Sequence, residues 1–207
     1  WHSLLEITVA DRAFWNRTQT VVPESGAHTA FMLRALCQGR FTMAIIGGST
    51  SAGGGSASGC WPRKHPCGSK CCGPSYLAWL SKWFRKAHNV SVQMHNGAQG
   101  GTGPEFAYLC LESLVGGPQL GSQVDLVIIE FAINEESNCQ HAGPRMERLL
   151  DRVYAWAPSA AIIFVNTFSV GNPIDASRCF VPLARRFGHA SLSLQDAVKP
   201  LLQRGVL

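Results

Sequence analysis

Charge is scarce in this sequence: Asp, Glu, Lys and Arg make up only 15% of its 207 residues, against 46% for the hydrophobic types. That balance excludes a disordered segment, which combines little apolar content with much net charge. Long apolar runs are missing too. None approaches the roughly 18 residues that span a bilayer, so no membrane insertion of this segment is expected. There is no zinc-finger spacing, no aromatic-glycine RNA-binding pattern and no internal repeat. The net charge of +5 is scattered along the chain. Its densest group, Arg63, Lys64, Lys70, Lys82, Arg85 and Lys86, reads as a solvated loop and helix face, and no nucleic-acid partner is expected.

Cysteine, by contrast, is plentiful. Of eight, four (Cys60, Cys67, Cys71 and Cys72) crowd into "CWPRKHPCGSKCC". Zinc, with His65 as a further ligand, is one reading. The spacing matches no common zinc module, and adjacent cysteines rarely share one structural ion. A disulfide-stapled surface loop is the preferred reading, and no metal is expected. Two glycosylation acceptor patterns, "NRT" at Asn16 and "NVS" at Asn89, point to the same oxidising environment. The expected location is the secretory pathway or outside the cell. The chain opens on Trp1 and closes on Leu207 after a helical pattern, and both ends read as cuts through a longer protein.

Residues 1–22 show no clear period and read as an extended arm, which leaves 23–207 as one domain large enough for a real core. From Pro23 the chain alternates. "PESGAHTAFMLRALCQG" is a helix with a glycine stop, "FTMAIIGG" a buried strand, and "PSYLAWLSKWFRKAHN" a proline-led helix whose Trp79, Trp83 and Phe84 read as core. "VSVQMHN", "VDLVIIEFAIN", "SAAIIFVNTFS" and "ASLSL" are strands; "GPEFAYLCLESLVGG", "PRMERLLDRVYAWAP" and "DASRCFVPLARRFG" are the helices between them. "QDAVKPLLQRG" closes the chain as an interrupted helix. Strands that are continuous apolar runs are buried on both faces. The pattern predicts an α/β fold: a three-layer α/β/α sandwich around a five-stranded parallel sheet with right-handed crossovers.

In such a sheet, ligands bind beyond the carboxyl ends of the strands. The loops there read "GGSTSAGG", "HNGAQGGTG" and "FAINEES". The first lacks the lysine of a phosphate-binding loop, and Gly53, Gly55 and Ser58 break the dinucleotide register. A flexible linker would not follow a buried strand inside a domain. What remains is a turn that presents Ser49. Gly100 and Gly101 in the second loop let a backbone N–H approach a ligand closely. Asn134 in the third adds a side-chain amide. One nucleophile with several hydrogen-bond donors is what acyl transfer needs, because negative charge develops on the carbonyl oxygen.

"GGSTSAG", "NGAQGGTG" and "EFAIN", in this order and on these loops, resemble the first three blocks of the SGNH (GDSL-type) hydrolase family. The resemblance runs from about Phe41 to the end, and the wider strings "HNGAQGGTGPEFAYLCLESLV" and "DLVIIEFAINE" resemble an algal or plant-like branch. It implies the flavodoxin-like sheet of that family and an esterase acting on a carboxylic ester, with an O-acyl group on a carbohydrate as candidate substrate. Ser49 matches the nucleophile, and Ser49, Gly100 and Asn134 match the three oxyanion donors. No cofactor is implied; the partner is a small-molecule or glycan ester. Gly48 stands where many members carry aspartate, and Glu135 follows Asn134 where aspartate is common.

A fourth element of the pattern is missing. The family's base is a histidine in an Asp-x-x-His motif near the C-terminus, and a serine hydroxyl is a poor nucleophile without one. Here Asp175 is followed at that spacing by Arg178, and Asp196 by Lys199. A chain cut before the motif is the simplest account. An O-acyltransferase using the same serine, and a non-catalytic glycan-binding relative, stay open. His95 reads as a strand-end residue, His141 as a solvated loop position, His189 as a cation at a helix end, and His28 and His88 as helix-surface residues. Glu105 and Glu112 read as solvent-facing or capping. Glu130, inside the most apolar strand, needs partners, and reads as a support of the site loops or half of an ion pair. Cys60–Cys72, directly after the Ser49 turn, is a candidate roof over the crevice.

Overall fold

A strand's two-residue period decides which side each residue faces. In the strand Arg40–Gly47, Met43 and Ile45 join one hydrophobic cluster and Ala44 and Ile46 the other, and all four are fully buried. The strand Leu126–Glu130 divides the same way, Leu126 and Ile128 against Val127 and Ile129. Both faces of the sheet are therefore covered, as the continuous apolar runs predict.

The computed structural model describes residues 16–23, 26–53, 76–168 and 175–203. In chain order these form β1 (Gln19–Val21), α1 (Gly26–Gln38), β2 (Arg40–Gly47), α2 (Tyr76–His88), β3 (Ser91–Asn96), α3 (Pro104–Val115), a 3-10 turn (Pro118–Gln123), β4 (Leu126–Glu130), α4 (Cys139–Trp156), β5 (Ala161–Asn166), α5 (Ser177–Arg186), β6 (Ala190–Ser193) and α6 (Leu194–Gln203). The sheet order is β1-β6-β5-β4-β2-β3, with β2 to β6 parallel and β1 antiparallel to β6. Phe31 and Ala35 of α1 and Leu77 and Phe84 of α2 cover one face; α3, α4 and α5 cover the other.

The expected five-stranded parallel sheet is thus corrected to a mixed sheet of six strands. The added strand lies in the segment read as an arm, and three residues are too few to show a period. Thr20 fixes it, its hydroxyl donating to the backbone oxygen of Ser191 at 3.0 Å. Helix α4 begins at Cys139, five residues before the proline taken as its start. Asn138 caps it, accepting the Gln140 N–H at 3.1 Å, and Pro144 lies inside. His141 therefore belongs to a helix, not a loop. Trp79 and Trp83 are 61% and 51% exposed rather than core. Two residues on from Leu77 is about 200° around a helix, so Trp79 faces away from the buried side. Phe84 is buried as expected, and β3, an edge strand, is largely exposed. Lys82, Arg85 and Lys86 form an exposed helix face; Arg63, Lys64, Lys70 and the Cys60–Cys72 loop lie outside the described residues.

Candidate active site

Strand β2 ends at Gly47, paired in register with Glu130, the last residue of β4. On its other side β3 runs on: the Gly97 N–H donates to the Ile45 oxygen at 3.0 Å and the Gln99 N–H to the Gly47 oxygen at 2.9 Å. The three glycine- and asparagine-bearing loops therefore leave the same end of three adjacent strands. Chain connections from β2 go to β3 on one side, then cross to β4 on the other, which makes this the topological switch point.

The turn carrying Ser49 is tightly held. Gly48 donates its N–H to the Glu130 oxygen at 3.0 Å and accepts from the Ala52 N–H at 3.1 Å. Gly53 closes the turn at φ +91°, a left-handed conformation that suits glycine. Ser49 itself is half-buried, while Ser51 and Ala52 behind it are buried. The Asn96 side chain, at the head of the second loop, donates to the Ser51 oxygen at 2.9 Å.

The third loop meets the first at Gly48. A Cβ placed there would lie 2.5 Å from Cγ and 2.9 Å from Nδ2 of Asn134. No real Cβ sits that close, so a side chain at 48 would require Asn134, whose Oδ1 is the nearest atom, to shift. The Asn134 Oδ1 is buried without a hydrogen-bond partner among the described residues, and its backbone N–H turns back to the Phe131 oxygen at 2.9 Å. The second loop meets the third at Gly103, where a Cβ would be 3.4 Å from Oε2 of Glu135. Glu135 is buried and paired with Arg145 at 2.8 Å, and Arg145 also reaches Glu136 at 2.9 Å and Glu105 at 3.7 Å. The residue that departs from the usual aspartate is thus the buried half of an ion-pair cluster that fixes the loop.

The backbone N–H groups of Ser49 and Gly100 donate to no backbone carbonyl among the described residues. Gly100 opens a turn whose next residue, Gly101, has φ +76°, and Thr102 closes it by donating to the Gln99 oxygen at 2.8 Å. The structure brings the Ser49 turn and Asn134 into contact and sets the Gly100 loop beside them.

Among solved structures, a two-domain esterase active on acetylated mannans, crystallised with mannopentaose, matches with a TM-score of 0.76 at 22% identity. The match covers 93% of this chain and 48% of that one, so this chain spans about half the length of that esterase. An acetyl xylan esterase from Geobacillus stearothermophilus matches with a TM-score of 0.54 at 18% identity, over 79% of this chain and 80% of its own. This chain has the SGNH hydrolase fold. No protein-family model matches it, and no curated protein does.

Within that SGNH fold the remaining residues fall into place. Asp175 and Asp196 sit at helix starts, Asp175 accepting the Ser177 N–H at 2.8 Å. His141 is exposed and pairs with Glu136 at 3.1 Å. His95, half-exposed on edge strand β3, hydrogen-bonds Gln93 at 3.1 Å. His88 is exposed against Trp83. Two readings need correcting. His28 is half-buried on its helix rather than free on the surface, and bonds the Ile162 oxygen of β5 at 2.8 Å. His189 is no helix-end cation: it is buried among Tyr154, Phe164 and Phe187, bonded to the Tyr154 hydroxyl, and burial pushes its pKa down to about 4. Glu105 pairs with Arg145 and Arg148, and Glu112 with Arg152, across the α3–α4 contact.

Sequence reasoning missed the residues beneath the turn: Ser51, Tyr76 and Thr167. Ser51 and Thr167 bond Glu130 and Tyr76 bonds Ser51, so the partners of Glu130 among the described residues are hydroxyls and backbone N–H groups rather than a basic side chain. Only the second serine of "GGSTS" hinted at them.

Proposed function

We propose that this chain carries the nucleophile and oxyanion hole of a serine esterase acting on an O-acyl ester of a carbohydrate. Ser49 Oγ attacks the ester carbonyl carbon, and the carbonyl oxygen gains the negative charge. The N–H of Ser49, the N–H of Gly100 and the side-chain amide of Asn134 receive that oxyanion. Collapse expels the sugar hydroxyl and leaves an acyl-serine, which water then cleaves. The serine needs a base to take its proton; the family's Asp-x-x-His motif does not occur in these 207 residues.

One observation carries this reading: the Asn134 amide lies against Gly48, next to Ser49, in space that any side chain at 48 would fill. Its Oδ1 is buried without a hydrogen-bond partner among the described residues, so no polar contact of that atom accounts for the amide's place. The fold match to esterases of acetylated mannan and xylan supports a glycan ester as substrate. The Cys139–Cys179 disulfide, with exposed acceptor asparagines Asn16 and Asn89, supports the secretory pathway or the cell exterior as its location.

The test is release of p-nitrophenol from p-nitrophenyl acetate, and of acetate from acetylated mannan, by the full-length protein. Ser49→Ala is expected to lower kcat by at least about a thousandfold. Activity that survives this change removes the assignment. Asn134→Ala is expected to cost about a hundredfold to a thousandfold, as loss of one oxyanion donor does.

A further inference from the structure

Glu130 is fully buried at the end of the central strand β4. Its backbone oxygen accepts the Gly48 N–H at 3.0 Å, and its carboxylate Oε2 accepts the Ser51 N–H at 3.2 Å and the Ser51 hydroxyl at 3.1 Å. One residue therefore grips the Ser49 turn at positions 48 and 51, on either side of the serine. The second carboxylate oxygen accepts the Thr167 hydroxyl, just past β5, at 2.6 Å. Tyr76, first residue of α2, closes the chain: its hydroxyl lies 2.8 Å from Ser51 Oγ. With Ser51 donating to the carboxylate, the phenol donates to Ser51, and the protons all point toward Glu130.

We propose that Glu130 is a positioning residue that sets the attack geometry of Ser49 by clamping both ends of its turn. The proposal rests on the reading of Ser49 as nucleophile, but the clamp can be tested without it. A turn held on one side only would let the serine drift, and a misplacement of about 1 Å can cost a hundredfold in rate. A packing role would need only the volume of the side chain. The contacts here go further, because the carboxyl accepts from Ser51 and Thr167; burial pushes its pKa up, against the pull of those hydrogen bonds. Tyr76, the other titratable group on this network, is pushed up as well, first by burial and then by the Glu130 charge.

Two substitutions separate the roles. Glu130→Gln keeps the shape and one acceptor for Ser51, while its amide can donate to Thr167. Glu130→Met keeps the volume and no acceptor. In the full-length protein, Glu130→Met is expected to lower kcat for p-nitrophenyl acetate at least tenfold with KM within about twofold, and Glu130→Gln to stay within about threefold of wild type. In the 207-residue chain, amide hydrogen exchange at Ser51 is expected to speed up at least tenfold in the Met variant and little in the Gln variant. Should the Met variant not fold, Ser51→Ala, which keeps the backbone N–H bond, is expected to lower kcat three- to tenfold. Equal kcat in the Met and Gln variants, or unchanged exchange at Ser51, overturns the clamp. Ser49→Ala is measured alongside: activity that persists there refutes the nucleophile reading, whereas the exchange data still decide whether Glu130 holds the turn.

Discussion

At Gly48 the decisive feature is a hydrogen atom where other residues have a Cβ. With Asn134 Nδ2 at 2.9 Å from the position a Cβ would take, Gly48→Ala must displace the amide. Its expected effect is a loss of kcat of about a hundredfold or more, as the proposed loss of an oxyanion donor implies, with a destabilisation of about 1–3 kcal/mol from the forced displacement. This site was partly legible: Ser49, Gly100 and Asn134 stand out as polar or glycine residues directly after apolar strands. The reason for Gly48 was not, because it depends on a side chain 86 positions away. His189 gives a second residue-scale expectation. Its pKa is lowered from an unfolded value of 6.5 to about 4, so the folded chain binds fewer protons than the unfolded chain between those values. Stability contributed by the neutral ring is complete above pH 6.5 and is lost as pH falls toward 4, to a total of about 3 kcal/mol. Urea midpoints measured at pH 7 and pH 4.5 should fall further for the wild type than for His189→Phe, which has no proton to bind.

Elements supply the second level, and here the N-terminus of α4 matters most. The Cys139–Cys179 disulfide joins it to α5, and Arg178 donates to the Ser137 oxygen at 2.7 Å. The Ala176 N–H adds a bond to the Ala132 oxygen at 2.9 Å, so the Asn134 loop is tied at several points to the start of α5. Closing a loop over a sequence separation of 40 corresponds to about 4 kcal/mol in the chain-entropy model. The double change Cys139→Ala with Cys179→Ala is expected to lower the unfolding free energy by roughly 2–4 kcal/mol in urea titration. Crowding along the sequence drew attention to Cys60, Cys67, Cys71 and Cys72, whereas this pair gave no local sign, since spacing does not name a tertiary partner. Helices and strands fared better, because each long one repeats its period several times. The misread start of α4 came from a proline; the cap at Asn138 outweighed it.

For the whole molecule, the order of apolar runs made the parallel sheet legible before any coordinate. What could not be read was the edge: β1 is only three residues long and pairs antiparallel. No Asp-x-x-His motif, the base that the proposed function calls for, occurs in the 207 residues. General-base catalysis contributes about a hundredfold to ten-thousandfold. The 207 residues alone are therefore expected to hydrolyse p-nitrophenyl acetate at under about a hundredth of the rate of a protein that carries both this domain and that motif. Comparable rates would mean that another group acts as base.

The pairing of Thr20 with Ser191 has one more consequence, in time rather than in space. The two residues are 171 positions apart, so β1 is made long before the strand that becomes its neighbour. Until then β1 presents unpaired backbone, the kind of edge that recruits other chains. Closure of this border comes late on the ribosome by necessity, and contacts of such long range are slow to form. The interval between the two strands is the window in which this chain most needs protection from its own copies.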